Sequence, residues 1–460
     1  MEPLELFHRV ATTVPAYQDF LRHNVIDAAS VRTMADFERL PLLTKENYHR
    51  RYPLPELCRD GRLDGCDLIA VSSGSTGVPT FWPRNQADEQ AITARFEQVF
   101  QGFRARERST LAVVCFPLGT WVGGLYTLAC LRHLAARGYR ITVVAPGNNK
   151  AEILRVVPEL GGYAEQVVLL GYPPFIKDVI DTGLAAGVEW SRYAIKLVLA
   201  GEVFSEECRD LVTERAGMGG IDTDSASLYG TADAGVLGNE TPLSVRIRRF
   251  LAGRPEAARE LFGGSRLPTL VQYDPGSRYF EAVEGTLLFS GDNGIPLVRY
   301  HIADDGGVIT NGAMLDFCAG QGFEPGEGTE APFVYVFGRS LHTVSFFGAN
   351  VYPENITVGL EREPVSGWVT GKFVLETVED ADRDRRLRVT VELAPGRREA
   401  DVGAIAESIR VELCRLNSEF AHYVPAERQL PDVDVRQHGD PEYFPVGVKH
   451  RYTRATGSGC

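Results

Sequence analysis

A chain of 460 residues that is 44% hydrophobic and 24% charged is long enough for two domains and too evenly composed for a disordered or fibrous protein. No run reaches the roughly 18 apolar residues that cross a bilayer. A net charge of −13 argues against nucleic acid or an anionic membrane as partner. The opening MEPLELFHRVATTVPAY lacks a basic start before an apolar run, so no signal peptide is expected. The eight cysteines include no C-x-x-C pair and no zinc spacing, which suits a reduced cytoplasmic enzyme.

Residues 111–229 alternate regularly. The apolar runs LAVVCF, RITVVA, QVVLL, IKLVLA and SASLY are separated by the helix-like GLYTLACLRHLAARG, AEILRVVPEL, PFIKDVIDTGLAAG and SEECRDLVTERAG. Strands apolar on both faces, with amphipathic helices between them, predict an α/β fold with a parallel sheet covered on both sides. In such sheets ligands sit at the carboxyl ends of the strands. Residues 271–315 read instead as short alternating runs with Gly, Asp and Pro turns, hence antiparallel strands. CAGQGFEPGEGTEAP is a Gly/Glu/Pro-rich surface loop. Beyond Gly338, KFVLETVED, RLRVTVEL and a helix over AIAESIRVELCRLNSEF predict a small α+β unit. The expected architecture is a large N-terminal domain, 1–338, with mixed and parallel sheets flanked by helices, followed by a small mobile domain, 339–460.

The strongest chemical signal is Ser72-Ser73-Gly74-Ser75-Thr76-Gly77-Val78-Pro79-Thr80. Small residues let a backbone wrap an anion, and free N–H groups and hydroxyls donate to phosphate oxygens. No GK[ST] follows, so this is not a Walker loop. Alone, such a stretch is more often a plain flexible turn; its company decides.

SSGSTGVPT resembles the phosphate loop of the adenylate-forming superfamily of acyl-CoA synthetases, peptide-synthetase adenylation domains and luciferases. Within it the chain is most similar to the phenylacetate–CoA ligase family. VPAYQDFLRHN, DFERLPLLTKENYHRRYP, FPLGTWVGG, LLGYPPFIKDVID, LAGEVFSEECRD, SLYGTADAG, PLVRYHIADDG and FGRSLHTVSFFGANVYPENI carry the likeness, in the family's order, over nearly the whole chain.

The resemblance implies a role for each remaining site. Gly201-Glu202, after the strand IKLVLA, matches an adenine-contacting loop; by itself it is also a strand-to-helix turn. In Tyr229-Gly230-Thr231-Ala232-Asp233 the family pattern YGxTE implies an aromatic ring on adenine, a threonine facing phosphate and a carboxylate holding magnesium. Here Ala232 replaces the threonine and Asp233 the longer glutamate, with Thr231 the neighbouring hydroxyl. Asp304 matches the aspartate that accepts from both ribose hydroxyls, two acceptor oxygens meeting two donors. Asp305 is the alternative, and Ile302-Ala303 stand where relatives carry Thr-Gly. Arg339 matches the arginine at the domain boundary, where a guanidinium meets ribose or phosphate; Ser340, Leu341 and His342 replace the usual charged hinge. Lys449 is either the catalytic lysine in a slipped loop or a surface lysine in a basic tail. Trp121, Gly123, Gly124, Tyr172, Pro173 and Phe175 are the expected walls of a flat acyl pocket for an aromatic or small unsaturated acid; such residues are as often core.

The implied cofactors are ATP, magnesium and, by default, coenzyme A. Zinc is not expected, because Cys318 alone stands where many relatives carry a cysteine-rich element. The implied partners are a small carboxylic acid and an acyl acceptor, with no nucleic acid or membrane, and the protein is expected as a monomer or homodimer. An amine or a carrier protein is the alternative acceptor, and a degenerate nucleotide-binding scaffold the alternative class.

Overall fold

The computed structural model describes residues 2–72, 80–263, 267–339, 343–444 and 452–453. The expected site residues Ser73, Gly74, Ser75, Thr76, Gly77 and Lys449, and the side chain of Arg339, lie outside this description.

The chain divides into two compact units. The first comprises Met1–Val71, Phe81–Gly171 and Val179–Gly338; the second comprises Ser72–Thr80, Tyr172–Asp178 and Arg339–Cys460. In chain order the strands are β1 (Leu68–Ser72), β2 (Thr80–Arg84), β3 (Thr110–Val114), β4 (Ile141–Val144), β5 (Gln166–Gly171), β6 (Ile195–Ala200), β7 (Ser225–Thr231), β8 (Gly235–Asn239), β9 (Thr269–Gln272), β10 (Arg278–Val283), β11 (Thr286–Gly291), β12 (Leu297–Ile309), β13 (Phe333–Arg339), β14 (Val344–Phe346), β15 (Ala349–Val351), β16 (Val369–Glu379), β17 (Arg385–Leu393) and β18 (Asp432–Arg436).

The first unit is built on one eleven-stranded sheet in the order β10-β11-β12-β13-β9-β8-β7-β6-β5-β3-β4. From β4 to β7 the pairings are parallel. From β7 to β9, between β9 and β13, and from β10 to β12 they are antiparallel. The parallel and antiparallel regions read from sequence are thus halves of one mixed sheet, joined where β8 turns back on β7. β3 and β5 are buried along their whole length, as strands covered on both faces must be. Helices Val122–Ala136, Lys150–Leu160, Pro173–Ala185 and Glu206–Arg215 connect the parallel strands.

The N-terminal 66 residues add short helices whose apolar faces join the far half of the sheet. Leu6, Phe7, Val10, Tyr17, Phe37 and Leu43 pack in one cluster with Leu287, Phe289, Tyr300 and Ile302. The segment CAGQGFEPGEGTEAP is only partly a loop. Cys318-Ala319-Gly320 complete the helix Asn311–Gly320, and Cys318 is buried with Met314 and Phe333.

In the second unit β16 pairs antiparallel with β17, and β17 parallel with β18. The single helix expected over 404–420 is two. Val402–Leu416 ends at Asn417, whose side chain accepts from Phe420 N and caps the next helix, Ser418–Tyr423. Asparagine competes for the backbone in this way and so breaks helices it does not cap.

Buried charge in the first unit is mostly paired. Arg209 is 2% exposed and donates to Glu240 Oε1 at 2.7 Å and to Ser225 Oγ at 2.8 Å. Arg209→Met should leave Glu240 buried without its cation and cost about 3–5 kcal/mol of stability. Urea denaturation followed by tryptophan fluorescence measures the loss.

Candidate active site

Several of the expected residues leave neighbouring strands at the same end of the sheet. β6 and β7 are parallel with Ala200 opposite Leu228, so Gly201-Glu202 and Tyr229-Gly230 emerge side by side at the carboxyl ends. Gly201 has φ +89°, a left-handed turn that glycine adopts at little cost. The loop after β3 arrives at the same edge of β1: Val71 N donates to Thr120 O at 3.0 Å, and Val71 bridges Trp121. Trp121 is the N-cap residue of the helix that carries Gly123 and Gly124. A Cβ on Gly124 would collide with the carbonyl oxygen of Pro117, so the loop can fold onto the helix start only with glycine there.

Tyr229 to Asp233 close the hairpin from β7 to β8. Thr231 Oγ1 accepts from Ala234 N at 3.2 Å, which engages this hydroxyl in its own turn. Arg84, on β2, donates through Nη2 to Ala232 O.

Asp304 is 5% exposed and accepts from the Tyr229 hydroxyl at 2.8 Å through Oδ2. β12 and β7 lie four strand steps apart, about 19 Å in a flat sheet. A hydrogen bond between their side chains therefore requires the sheet to curl. The register of β12 supplies a local reason. Thr286 faces Asp305 while Leu288 faces His301, so β12 carries extra residues in a bulge over Ile302–Asp304. Bulges bend a strand and re-aim its side chains. Ala303 sits in it at φ +66°, where L residues other than glycine are strained. Asp305 holds the ladder position opposite Thr286, and Asp304 is the one bonded to Tyr229.

Asp233 is 4% exposed. Its Oδ2 accepts from the Tyr300 hydroxyl at 2.5 Å, and Lys45 Nζ lies 3.8 Å from Oδ1. Lys45 arrives by a specific route. Leu43 N donates to Arg299 O at 3.2 Å and His301 N to Leu43 O at 2.9 Å, so residues 42–44 form a bridge along β12. Arg299 strengthens the joint by donating to Leu40 O at 2.6 Å while paired with Glu281 at 2.9 Å. Thr44 then caps the next turn with Asn47 in a capping box. Lys45 Nζ stands 5.6 Å from the centre of the Trp82 ring, and His49 packs on the same ring at 4.2 Å.

Lys45, Tyr300, His49 and Arg84 were assigned no role from sequence. The available signal was the Thr-Lys-Glu-Asn capping box in TKENYH, which starts a turn, but nothing in it says which strand that turn meets.

Tyr172, Pro173 and Phe175 belong to the second unit. Tyr172 stacks on Tyr423 with ring centres 5.5 Å apart, and a Cβ on Gly348 would collide with its ring; Phe175 is 1% exposed. In that unit the rings of Tyr172 and Tyr423 pack on one another. Ser72 ends β1 and is buried, and Gly338, before Arg339 at the end of β13, has φ +99°.

His49 is buried, and burial holds its pKa below the ordinary 6.5, although its bond to Phe81 O at 2.9 Å and the Asp233 charge pull the other way. The unfolded chain therefore takes up this proton first as pH falls. The stability His49 confers is complete above about pH 6.5 and is lost below it, as pH drops through the lower folded value. Between about pH 7.5 and about pH 5.5 the fall in urea midpoint should be smaller in His49→Gln than in the wild type.

No protein-family model matches the chain, and no curated protein matches it by sequence. Solved structures do match over nearly its whole length. A 2-hydroxyisobutyryl-CoA ligase in complex with 2-HIB-AMP and CoA, in the thioesterification state, has a TM-score of 0.67 at 16% identity, covering 98% of this chain and 88% of that one. An open conformation of that ligase with the same two ligands gives a TM-score of 0.56 at 15% identity, covering 98% and 89%. Its postadenylation state with R3-HIB-AMP gives 0.57 at 15%, covering 98% and 87%. The chain has the fold of this CoA ligase.

Proposed function

We propose that this chain is an ATP-dependent, AMP-forming ligase that converts a small carboxylic acid to its acyl-adenylate and then passes the acyl group to a thiol, coenzyme A being the acceptor. The observation that carries the reading is the pair of buried, tyrosine-bonded carboxylates, Asp304 with Tyr229 and Asp233 with Tyr300, beside Lys45. It is supported by the shared fold with a ligase seen with an acyl-adenylate and CoA.

In the proposed reaction a carboxylate oxygen attacks the α-phosphorus, the bond to the β-phosphate oxygen breaks, and pyrophosphate leaves. Nucleophile and triphosphate are both anionic, so the protein must position them and neutralise charge. Asp304, oriented by the Tyr229 hydroxyl, accepts from the ribose hydroxyls, and the Tyr229 ring and Gly201-Glu202 receive the adenine. The Ser72–Thr80 loop and Lys449 meet the phosphates. Lys45, 3.8 Å from Asp233, adds a second ammonium on the Asp233 side, and Arg339 meets ribose or phosphate after the small unit turns. The acid lies by Trp121, Gly123 and Gly124, with Tyr172, Pro173 and Phe175 as further walls. The thiol then attacks the acyl carbon, AMP leaves, and the thiol proton passes to solvent.

Magnesium fits one position. Mg²⁺ in phosphate-transfer sites takes one or two carboxylates together with substrate phosphates. Asp233 is a single buried carboxylate whose Oδ2 is already oriented by Tyr300. The ion would supply charge neutralisation on the triphosphate.

Acid-dependent pyrophosphate release over a panel of aromatic and small aliphatic carboxylates, with and without coenzyme A, tests the reading; no release with any acid would sink it. Asp304→Asn and Lys45→Met each remove a charge-assisted contact worth about 1.5–3 kcal/mol. Each should lower kcat/KM for ATP by about 10- to 100-fold in protein that circular dichroism shows to be folded.

A further inference from the structure

One buried cluster of the first unit handles its charge differently from the rest. Arg209 meets Glu240, Arg248 meets Glu206 and Arg299 meets Glu281. Arg84 and Arg278, 2% and 4% exposed, have no carboxylate within 4.0 Å of their guanidinium groups among the described residues. Arg84 donates to Ala232 O and stands 5.8 Å from the centre of the Tyr126 ring. Arg278 donates through Nη1 to Ser277 O at 2.9 Å.

Much of the donor capacity around them goes unused within the protein. The Nε–H of Arg84, the Nε–H of Arg278, the Tyr126 hydroxyl and both amide atoms of Asn293 are buried without a hydrogen-bond partner there. Arg84, Arg278, Tyr126 and Asp88 are close enough to perturb one another's charge. Asn293 precedes Gly294, whose N–H donates to Asp88 Oδ2 at 2.7 Å. Asp88 also accepts from Asn85 N at 3.3 Å, and its Oδ1 has no partner. The charge of one carboxylate, Asp88, thus acts on two guanidinium groups, with Asp274 adding a weaker attraction on Arg278. An arginine does not shed its proton to escape burial, and an uncompensated buried charge costs several kcal/mol. Four side chains with idle donors and an excess of positive charge form a receptor for an anion.

We propose that Arg84, Arg278, Tyr126 and Asn293 enclose a small monovalent anion, a halide or a single carboxylate group. Two sources share this chemistry: an inorganic ion taken from solvent, and a carboxyl group carried by the acyl substrate. Through the bond from Arg84 to Ala232 O the ion is tied to the backbone beside Asp233, so Arg84 is a positioning residue for that hairpin. The substrate source and this last link rest on the proposed function; the anion site stands without them.

The test uses the full chain in chloride-free methanesulfonate buffer, methanesulfonate being neither a halide nor a carboxylate. Bromide or chloride is titrated in at constant ionic strength while thermal unfolding is followed, and crystals grown with bromide are measured at its absorption edge. The expected result is an anomalous peak within hydrogen-bond reach of Arg84 Nε and Arg278 Nε. A saturable rise in melting temperature should accompany it, equivalent at 100 times Kd to about a 100-fold shift of the folding equilibrium, and should be absent in Arg278→Met. If Arg278→Met does not fold, the bromide peak in the wild type decides. No peak, with equal melting in bromide and methanesulfonate, overturns the proposal. An activated acid that displaces bromide assigns the site to the substrate carboxyl group, and one that binds alongside it assigns the site to the inorganic ion. Bromide bound there in a protein that releases no pyrophosphate would keep the anion site and sink the ligase reading.

Discussion

Two buried carboxylates set the terms for the rest of this structure. A carboxylate taken out of water costs several kcal/mol unless hydrogen bonds replace its hydration. Asp233 and Asp304, 4% and 5% exposed, each receive a tyrosine hydroxyl from across the fold: Tyr300 of β12 reaches the hairpin after β7, and Tyr229 of β7 reaches the bulge of β12. The two bonds cross, so neither strand can shift without unpairing a buried charge. The curl of the sheet, the bulge at Ile302–Asp304 and the left-handed Ala303 all serve that exchange.

The N-terminal segment serves it as well. Its short helices bury their apolar faces against β11 and β12, and the backbone bridge at Leu43 aligns the chain with Tyr300. Lys45 then follows within reach of Asp233. Packing of apolar side chains more than 240 positions apart in sequence thus delivers one ammonium to one carboxylate. The same logic explains Arg299, whose guanidinium joins Leu40 O to Glu281 and locks the bridge from behind.

Local pattern made much of this legible in the chain itself. The apolar runs that became β3 to β7 and the helices between them were readable because burial on both faces leaves an unbroken hydrophobic signature. Tyr229, Asp233 and Asp304 stood out by their match to the motifs of the family the chain resembles. What failed was whatever depended on one residue's local choice against a periodic background. Asn417 split a helix by capping the next one, and Cys318 was drawn out of a polar stretch into a core with Met314 and Phe333.

The sequence alone determined the kinds of element, the strand ends that carry polar loops, and the residue types those loops present, because these follow from periodicity and side-chain chemistry within short windows. Only the tertiary structure decided that the parallel and antiparallel strands form one sheet. It alone decided that Tyr229 bonds Asp304 and Tyr300 bonds Asp233, that Lys45 joins them, and that Arg84 and Arg278 are buried. The physical reason is that each of these is a pairing between distant segments. Such pairings are set by strand register, sheet curvature and apolar packing, and none of the three leaves a mark in the residues that eventually meet.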